Sequence, residues 1–301
     1  MNCVTEEEHL QSFLQLQEFI LEKQTKNKPF LIGRLSGNET ALCGKILSNK
    51  PINQGNLINQ MLFGAGIQFK TIDHYKQYVK AYNNSVSKCN ILGIWDGSMY
   101  NQAKEYYDFI EKMYPQLSKI YAHALEPYYY MSDSRYHFSD IFKNKKVLII
   151  TSHQQTTLNQ LPHLKDIFAN NHNKQIFHET TDFHIYKPPQ QNGGNHDDQP
   201  WTFHFEKMKK DIKNIHEEEF AFDIALVSCG GFGMLISEYI FSELGKSSIY
   251  IGGALQLFFG IMGSRWKHSP KITSYINNYW TMPLNEDKPK NPQLCEGSCY
   301  W

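Results

Sequence analysis

Arg34 and Glu39 stand on either side of the polar turn LSGN, the first place in the chain where residue types suggest chemistry. An arginine presents a planar fork that donates paired hydrogen bonds to a diphosphate. A glutamate across from it can accept from a sugar or acceptor hydroxyl. Either residue could equally be a surface or capping group, since Glu39 falls in the first turn of an expected helix, where the helix dipole favours a carboxylate. Asp96, after the apolar run NILGIW, is a second candidate carboxylate. The third ingredient is a glycine turn. Gly230, Gly231 and Gly233 follow the apolar residues 224–227 and lead into an expected helix over 234–244. Backbone N–H groups at such a helix start favour an anion by roughly 0.3–1 kcal/mol, about 2 when partly buried. The plainer reading is glycines that let a helix pack close to a strand. A second glycine turn, Gly252 and Gly253, leads to Gln256 and Arg265 in a segment too hydrophobic for a surface loop. A buried amide at Gln256 needs a partner, because an unpaired one costs about 1–3 kcal/mol. A backbone group, a nucleobase or a sugar hydroxyl would each serve.

Several chemistries are excluded by missing patterns. The glycine spacing is not GxGxxG and no acidic residue follows at the distance a dinucleotide site needs. No serine elbow G-x-S-x-G is present, and the GKSS at 245–248 lacks the upstream glycine and strand of a P-loop. Thirteen histidines include no H-x-x-x-H pair with an intervening glutamate. His153, just after the strand-like KKVLIIT, is the one histidine placed near a strand end, with a solvated turn residue as the plainer alternative.

The elements that must position these groups alternate. Thr5 is an N-cap candidate for a helix opening with three glutamates and carrying Leu10, Phe13, Leu14, Leu16, Phe19 and Ile20. Strands are expected at 29–33, in NILGIW, at 145–151, at 224–227 and before Gly252. Helices are expected at 38–47, 54–65, 72–86, 102–113, after 151 despite Pro162, at 201–216 and at 234–244. This alternation argues for an α/β fold with a mainly parallel sheet covered on both faces, and for ligands at the strands' carboxyl ends. Residues 190–199, QNGGNHDDQP, read as an exposed, mobile loop of the kind that acts as a lid. The tail 280–301 ends in Tyr300 and Trp301 and is expected to fold back on the domain.

Composition narrows the class further. Thirty basic and thirty acidic residues cancel, which removes any global field that would draw the chain onto nucleic acid or an anionic membrane. The six cysteines, Cys3, Cys43, Cys89, Cys229, Cys295 and Cys299, form no C-x-x-C pair and suit a reducing compartment. The N-terminus is acidic where a signal peptide is basic and then apolar, and no apolar stretch reaches the roughly 18–20 residues of a membrane span. A soluble, cytoplasmic protein is the expectation.

The segments FLIGRLSGNE and CGGFGMLISEYIFSELGKSSIYIGGALQLFFGIMGSRW, in that order, resemble the GT-D-type glycosyltransferases and their uncharacterised relatives. NILGIWDGS, EPYYY, KKVLIITSHQQT and LCEGSCYW extend the likeness over most of the chain. In that family an arginine-led turn with a D-x-E element follows the first strand. A later glycine turn, helix and strand complete a nucleotide-sugar site. The resemblance implies one GT-D-like, Rossmann-like α/β domain over 1–301 that moves a sugar from a nucleoside diphosphate sugar to a hydroxyl of a glycan or other acceptor. Arg34, Gly230, Gly231, Gly233, Gly252, Gly253, Gln256 and Arg265 would bind the donor, and Glu39 and Asp96 would be the catalytic carboxylates. Such a site implies Mg²⁺ or Mn²⁺, held by Glu39 and Asp96 if by any residues. Gly37, however, stands where the family has the aspartate of D-x-E, and one carboxylate alone is a poor site for either ion. Two other classes remain open at this stage: a nucleotide- or sugar-binding module without catalysis, and another nucleotide-using α/β hydrolase.

Overall fold

Short apolar runs pair into one sheet because residues buried on both faces have nowhere else to place their backbone donors and acceptors. In the computed structural model, which describes residues 4–52, 55–170 and 174–301 (the backbone alone for 98–103), seven strands form that sheet. They are β1 (Leu31–Arg34), β2 (Ile91–Ile94), β3 (Ser118–Tyr121), β4 (Lys146–Thr151), β5 (Asp182–Tyr186), β6 (Ile224–Ser228) and β7 (Ser247–Tyr250). Every pairing is parallel and the order is β3-β2-β1-β7-β6-β4-β5. The expected α/β class and parallel sheet are therefore found.

Seven helices matter for the site: α1 (Glu6–Thr25), α2 (Gly37–Leu47), α3 (Ile72–Ser87), α4 (Gly97–Met113), α5 (Gln154–Gln160), α6 (Trp201–Asn214) and α7 (Gly233–Ser242). Thr5 caps α1 as expected. Its hydroxyl accepts from the Glu8 N–H at 3.2 Å, while the Glu8 carboxylate accepts from the Thr5 N–H at 2.8 Å. Such a cap contributes about 1 kcal/mol. Phe13, Leu16 and Ile20 of α1 are buried on one face of the sheet together with Phe258 and Phe259. On the other face Leu42 of α2, Tyr78 and Tyr82 of α3, Tyr106 of α4, Met208 of α6 and Met234 of α7 form a second core. Each such large side chain stabilises the fold by about 1.5–3 kcal/mol.

The site is created by a change of direction between two neighbouring strands. From β1 the chain turns into α2 on one face, whereas from the adjacent β7 it turns into a 3-10 helix, Gly252–Phe259, on the other. The two connections part above the sheet and leave a crevice at the carboxyl ends of the strands.

Some elements differ from expectation. β3 and β5 are edge strands with mixed burial, so neither shows the apolar run that marks the inner strands. The helix expected over 54–65 begins outside the described residues. Its described part is a short turn, Leu57–Asn59, running into a π turn, Gln60–Gly64. Pro162 breaks the helix after β4, which ends at Gln160 and continues as a 3-10 turn, Leu161–His163, because proline has no N–H to donate.

The exposure expected for 190–199 is corrected: only Asp197, Asp198 and Gln199 are exposed, while Gln191 and Gly193 are buried. Polar residues can pack there because their backbone is paired. The Gly193 N–H donates to the Phe63 carbonyl at 2.9 Å, and the Asn291 N–H donates to the Gly193 carbonyl at 2.8 Å. Over residues 280–301 the chain runs back along the domain, with Cys295 and Trp301 buried and the Arg265 N–H donating to the Cys299 carbonyl at 3.0 Å. Among the described residues no helix is long and apolar enough to cross a membrane.

Candidate functional site

A cavity of about 830 Å³ fills the crevice. Its walls come from residues at or just beyond the carboxyl ends of six strands: Arg34 after β1, Trp95 after β2, Glu126 after β3, His153 after β4, Gln191 after β5 and Gly230 after β6, with Gly252 after β7 closing the ring. Parallel strands bring side chains of distant sequence position to one rim, which is why so many polar groups converge here.

Arg34 is the central feature. Of the chain's three arginines, Arg135 pairs with Asp133 at 2.9 Å and Arg265 pairs with Glu296. Arg34 forms no ion pair with a carboxylate among the described residues, and its buried Nε has no hydrogen-bond partner. The guanidinium instead lies between the rings of Trp95 and Tyr250, at 5.2 and 5.5 Å from their centres. Cation–π contacts of this kind contribute about 0.5–1 kcal/mol at exposed sites and more where water is excluded. They hold the fork in place beside the cavity. Gly252 makes the room: its φ is +72°, and an added Cβ would collide with the guanidinium.

Two buried carboxylates face the same space. Glu39, 4 % exposed, occupies the first turn of α2, and Glu126, 8 % exposed, follows β3. Burial is the main reason that both hold their protons more tightly than an ordinary carboxyl, and the charge of Arg34 offsets that only in part. His153 is buried as well, which corrects the solvated-turn alternative. Burial pulls its proton affinity down to about 4, the imidazole is neutral at pH 7, and its Nε2 has no partner. Gln256 is pinned by backbone groups: its Nε2 donates to the carbonyls of Ile261 at 3.1 Å and Tyr300 at 3.3 Å. Its Oε1 is buried without a partner. A single orphaned polar group of this kind costs about 1–3 kcal/mol, and three of them belong to residues that line this one cavity.

The structure brings together Arg34, Glu39, Gly230, Gly252, Gly253, Gln256 and Arg265. It separates three others from the cavity. Gly231, expected to offer its amide to a phosphate, already donates that N–H to the Ala65 carbonyl at 2.9 Å and accepts from the Tyr78 hydroxyl at 2.7 Å. The Phe232 N–H is likewise occupied by the Cys229 carbonyl at 3.3 Å. Gly233 lies against the Tyr250 ring, where an added Cβ would have no space. Close helix–strand packing is therefore the role of Gly231 and Gly233. Asp96 is not on the cavity wall, and its Oδ2 sits 3.2 Å from His9 Nε2.

Sequence reasoning missed Trp95, His123, Glu126, Tyr250 and Tyr300. Trp95 and Tyr250 could have been found, because each stands at the end of an expected strand. His123 and Glu126 follow β3, whose edge position hides it. For metal ions, Glu39 joins no group of three potential ligands among the described residues, whereas Asp96 converges with His9 and His123. No protein-family model, curated protein or solved structure matches the chain.

Proposed function

We propose that the cavity binds a nucleoside diphosphate sugar and transfers the sugar to an acceptor hydroxyl. The observation that carries the reading is Arg34, a guanidinium held between two aromatic rings with no carboxylate paired to it, opposite two buried carboxylates with raised proton affinity. A guanidinium fixed between aromatic rings with no carboxylate paired to it suits a diphosphate. In the reaction the acceptor O–H gives its proton to Glu39 while its oxygen bonds to the anomeric carbon. The bond from that carbon to the diphosphate oxygen breaks, and the nucleoside diphosphate leaves with the electron pair beside Arg34. Glu39 is the first candidate base because it lines the cavity. Asp96, the other candidate, does not. A base positioned in this way accelerates transfer by about 10²–10⁴-fold.

The test is a panel of nucleotide sugars scored for nucleoside diphosphate release with and without glycan acceptors. Release that depends on acceptor, lost in Glu39→Gln and accompanied by weaker donor binding in Arg34→Lys, supports transfer. Tight binding without turnover supports a binding module, and fast release with water as sole acceptor supports a hydrolase. Glu39→Gln also carries a stability control. Burial raises the Glu39 pKa, so ionisation costs the wild type stability as pH rises through the raised value. The variant lacks that cost, so its melting temperature is expected to equal or exceed wild type at pH 8, which separates loss of turnover from loss of fold.

A further inference from the structure

We propose that His9, Asp96 and His123 form a binding site for a divalent transition-metal ion of the Zn²⁺ class at the edge of the cavity. One ligand atom from each of the three side chains lies within 4.8 Å of the other two. They come from separate elements: His9 from the first turns of α1, Asp96 from the N-cap of α4 just after β2, and His123 from the turn after β3. The capping box at Thr5 fixes the start of α1, and the β2–β3 pairing, with Ile94 opposite Tyr121, sets Asp96 and His123 side by side. The convergence is therefore built by the fold and not by one flexible loop.

One of the three spacings is already that of two ligands on a metal. Ligands about 2.0–2.2 Å from a tetrahedral Zn²⁺ stand about 3.3–3.5 Å from one another. His9 Nε2 and Asp96 Oδ2, which share a hydrogen bond in the empty site, are 3.2 Å apart, and His123 offers its ligand atom within 4.8 Å of both. Asp96 supplies a second, independent sign. It is the N-cap of α4, yet its carboxylate makes no capping hydrogen bond and turns to the histidines. An aspartate at that position ordinarily gains about 1 kcal/mol by accepting from the helix N–H groups, so its orientation serves the imidazoles instead.

The remaining chemistry fits the same class of ion. An imidazole binds a metal ion through the lone pair of a ring nitrogen. Two imidazoles and one carboxylate suit Zn²⁺ and its first-row neighbours, whereas Mg²⁺ prefers oxygen ligands alone. Three protein ligands leave a fourth position for water or substrate. His123 also lines the cavity, so the ligand cluster borders the space that Arg34 faces.

The test uses the full-length protein and the metal alone, so it stands or falls apart from sugar transfer. Metal-free protein is titrated with Zn²⁺ in competition with a chromophoric chelator, and with Co²⁺ followed by its visible spectrum. Expected are one ion per chain, an intense tetrahedral Co²⁺ spectrum and no competition by Mg²⁺. His9→Ala, Asp96→Asn and His123→Ala are each expected to weaken Zn²⁺ by at least about tenfold, the loss seen even when a group that only supports a ligand is removed. The exposed His268→Ala is expected to bind as wild type. Far-UV circular dichroism without metal checks the fold of each variant, and His9, on the partly exposed start of α1, gives the variant least coupled to folding. Absence of saturable binding, binding unchanged in the folded His9→Ala and His123→Ala variants, or equal binding of Mg²⁺ would overturn the proposal.

Discussion

The two glycine turns look alike in sequence and do opposite things. After β6, Gly231 and Gly233 give their space to Ile67 and the Tyr250 ring, and the amide of Gly231 is closed by the Ala65 carbonyl. After β7, Gly252 gives its space to the Arg34 guanidinium, which no carboxylate among the described residues pairs. A missing Cβ is an empty volume, and its function depends on what fills it. Apolar side chains and backbone make a packing joint. A charged fork beside a cavity leaves a cation at its wall. Tyr250 links the two, since one ring packs on Gly233, donates its hydroxyl to the Gly230 carbonyl at 3.0 Å and flanks Arg34.

That contrast can be broken or sharpened by experiment, beginning with the largest effect. The open side carries groups held against their natural protonation, and His153 is the strongest case. In the unfolded chain it takes a proton near pH 6.5, whereas in the folded protein burial delays this to about pH 4, with Asp287 opposing and Lys187 adding to the shift. Stability that is complete above pH 6.5 is thus lost as pH falls towards 4, by about 3 kcal/mol for a shift of this size. His153→Gln is expected to flatten the melting temperature across that range, and an unchanged pH dependence would remove His153 from the strained wall.

Next comes the closed turn. Gly231→Ala forces a Cβ into buried Ile67 and the Tyr78 hydroxyl, an overpacking expected to cost about 2 kcal/mol in urea unfolding. Affinity for a nucleoside diphosphate, measured per folded molecule by calorimetry, is expected to stay at the wild-type value. The smallest effect falls on the open turn. Gly252→Ala pushes the Arg34 guanidinium from its place between the rings, so affinity is expected to fall about tenfold, or about 1.4 kcal/mol. The positive φ adds a stability loss of about 1 kcal/mol. Loss of affinity in Gly231→Ala with none in Gly252→Ala would invert the comparison.

Much of the fold was legible in the residues. Apolar runs such as KKVLIIT and IALVS announce inner strands, and Thr5 with Glu8 announces a helix start. Arg34 and Glu39 were legible as residues of the strand-end cavity because a strand end followed by a polar turn is where parallel sheets expose side chains. Glu126 and His123 were not, since β3 buries only Ile120 fully and carries no apolar signature. The metal-ligand cluster was illegible for a different reason. His9 and Asp96 are 87 positions apart, and a search along the chain for histidine pairs detects only ligands on one helix.

The residues by themselves determined which segments become strands, where helices begin and which nucleotide fingerprints are missing, because propensity, capping and periodicity act within a few residues of each other. Tertiary structure alone decided which glycine faces a cavity, which arginine goes unpaired and which histidines meet Asp96. Hydrogen-bond partners and excluded volume are supplied by whatever the fold brings alongside, and in this chain those neighbours come from strands and helices far away in sequence.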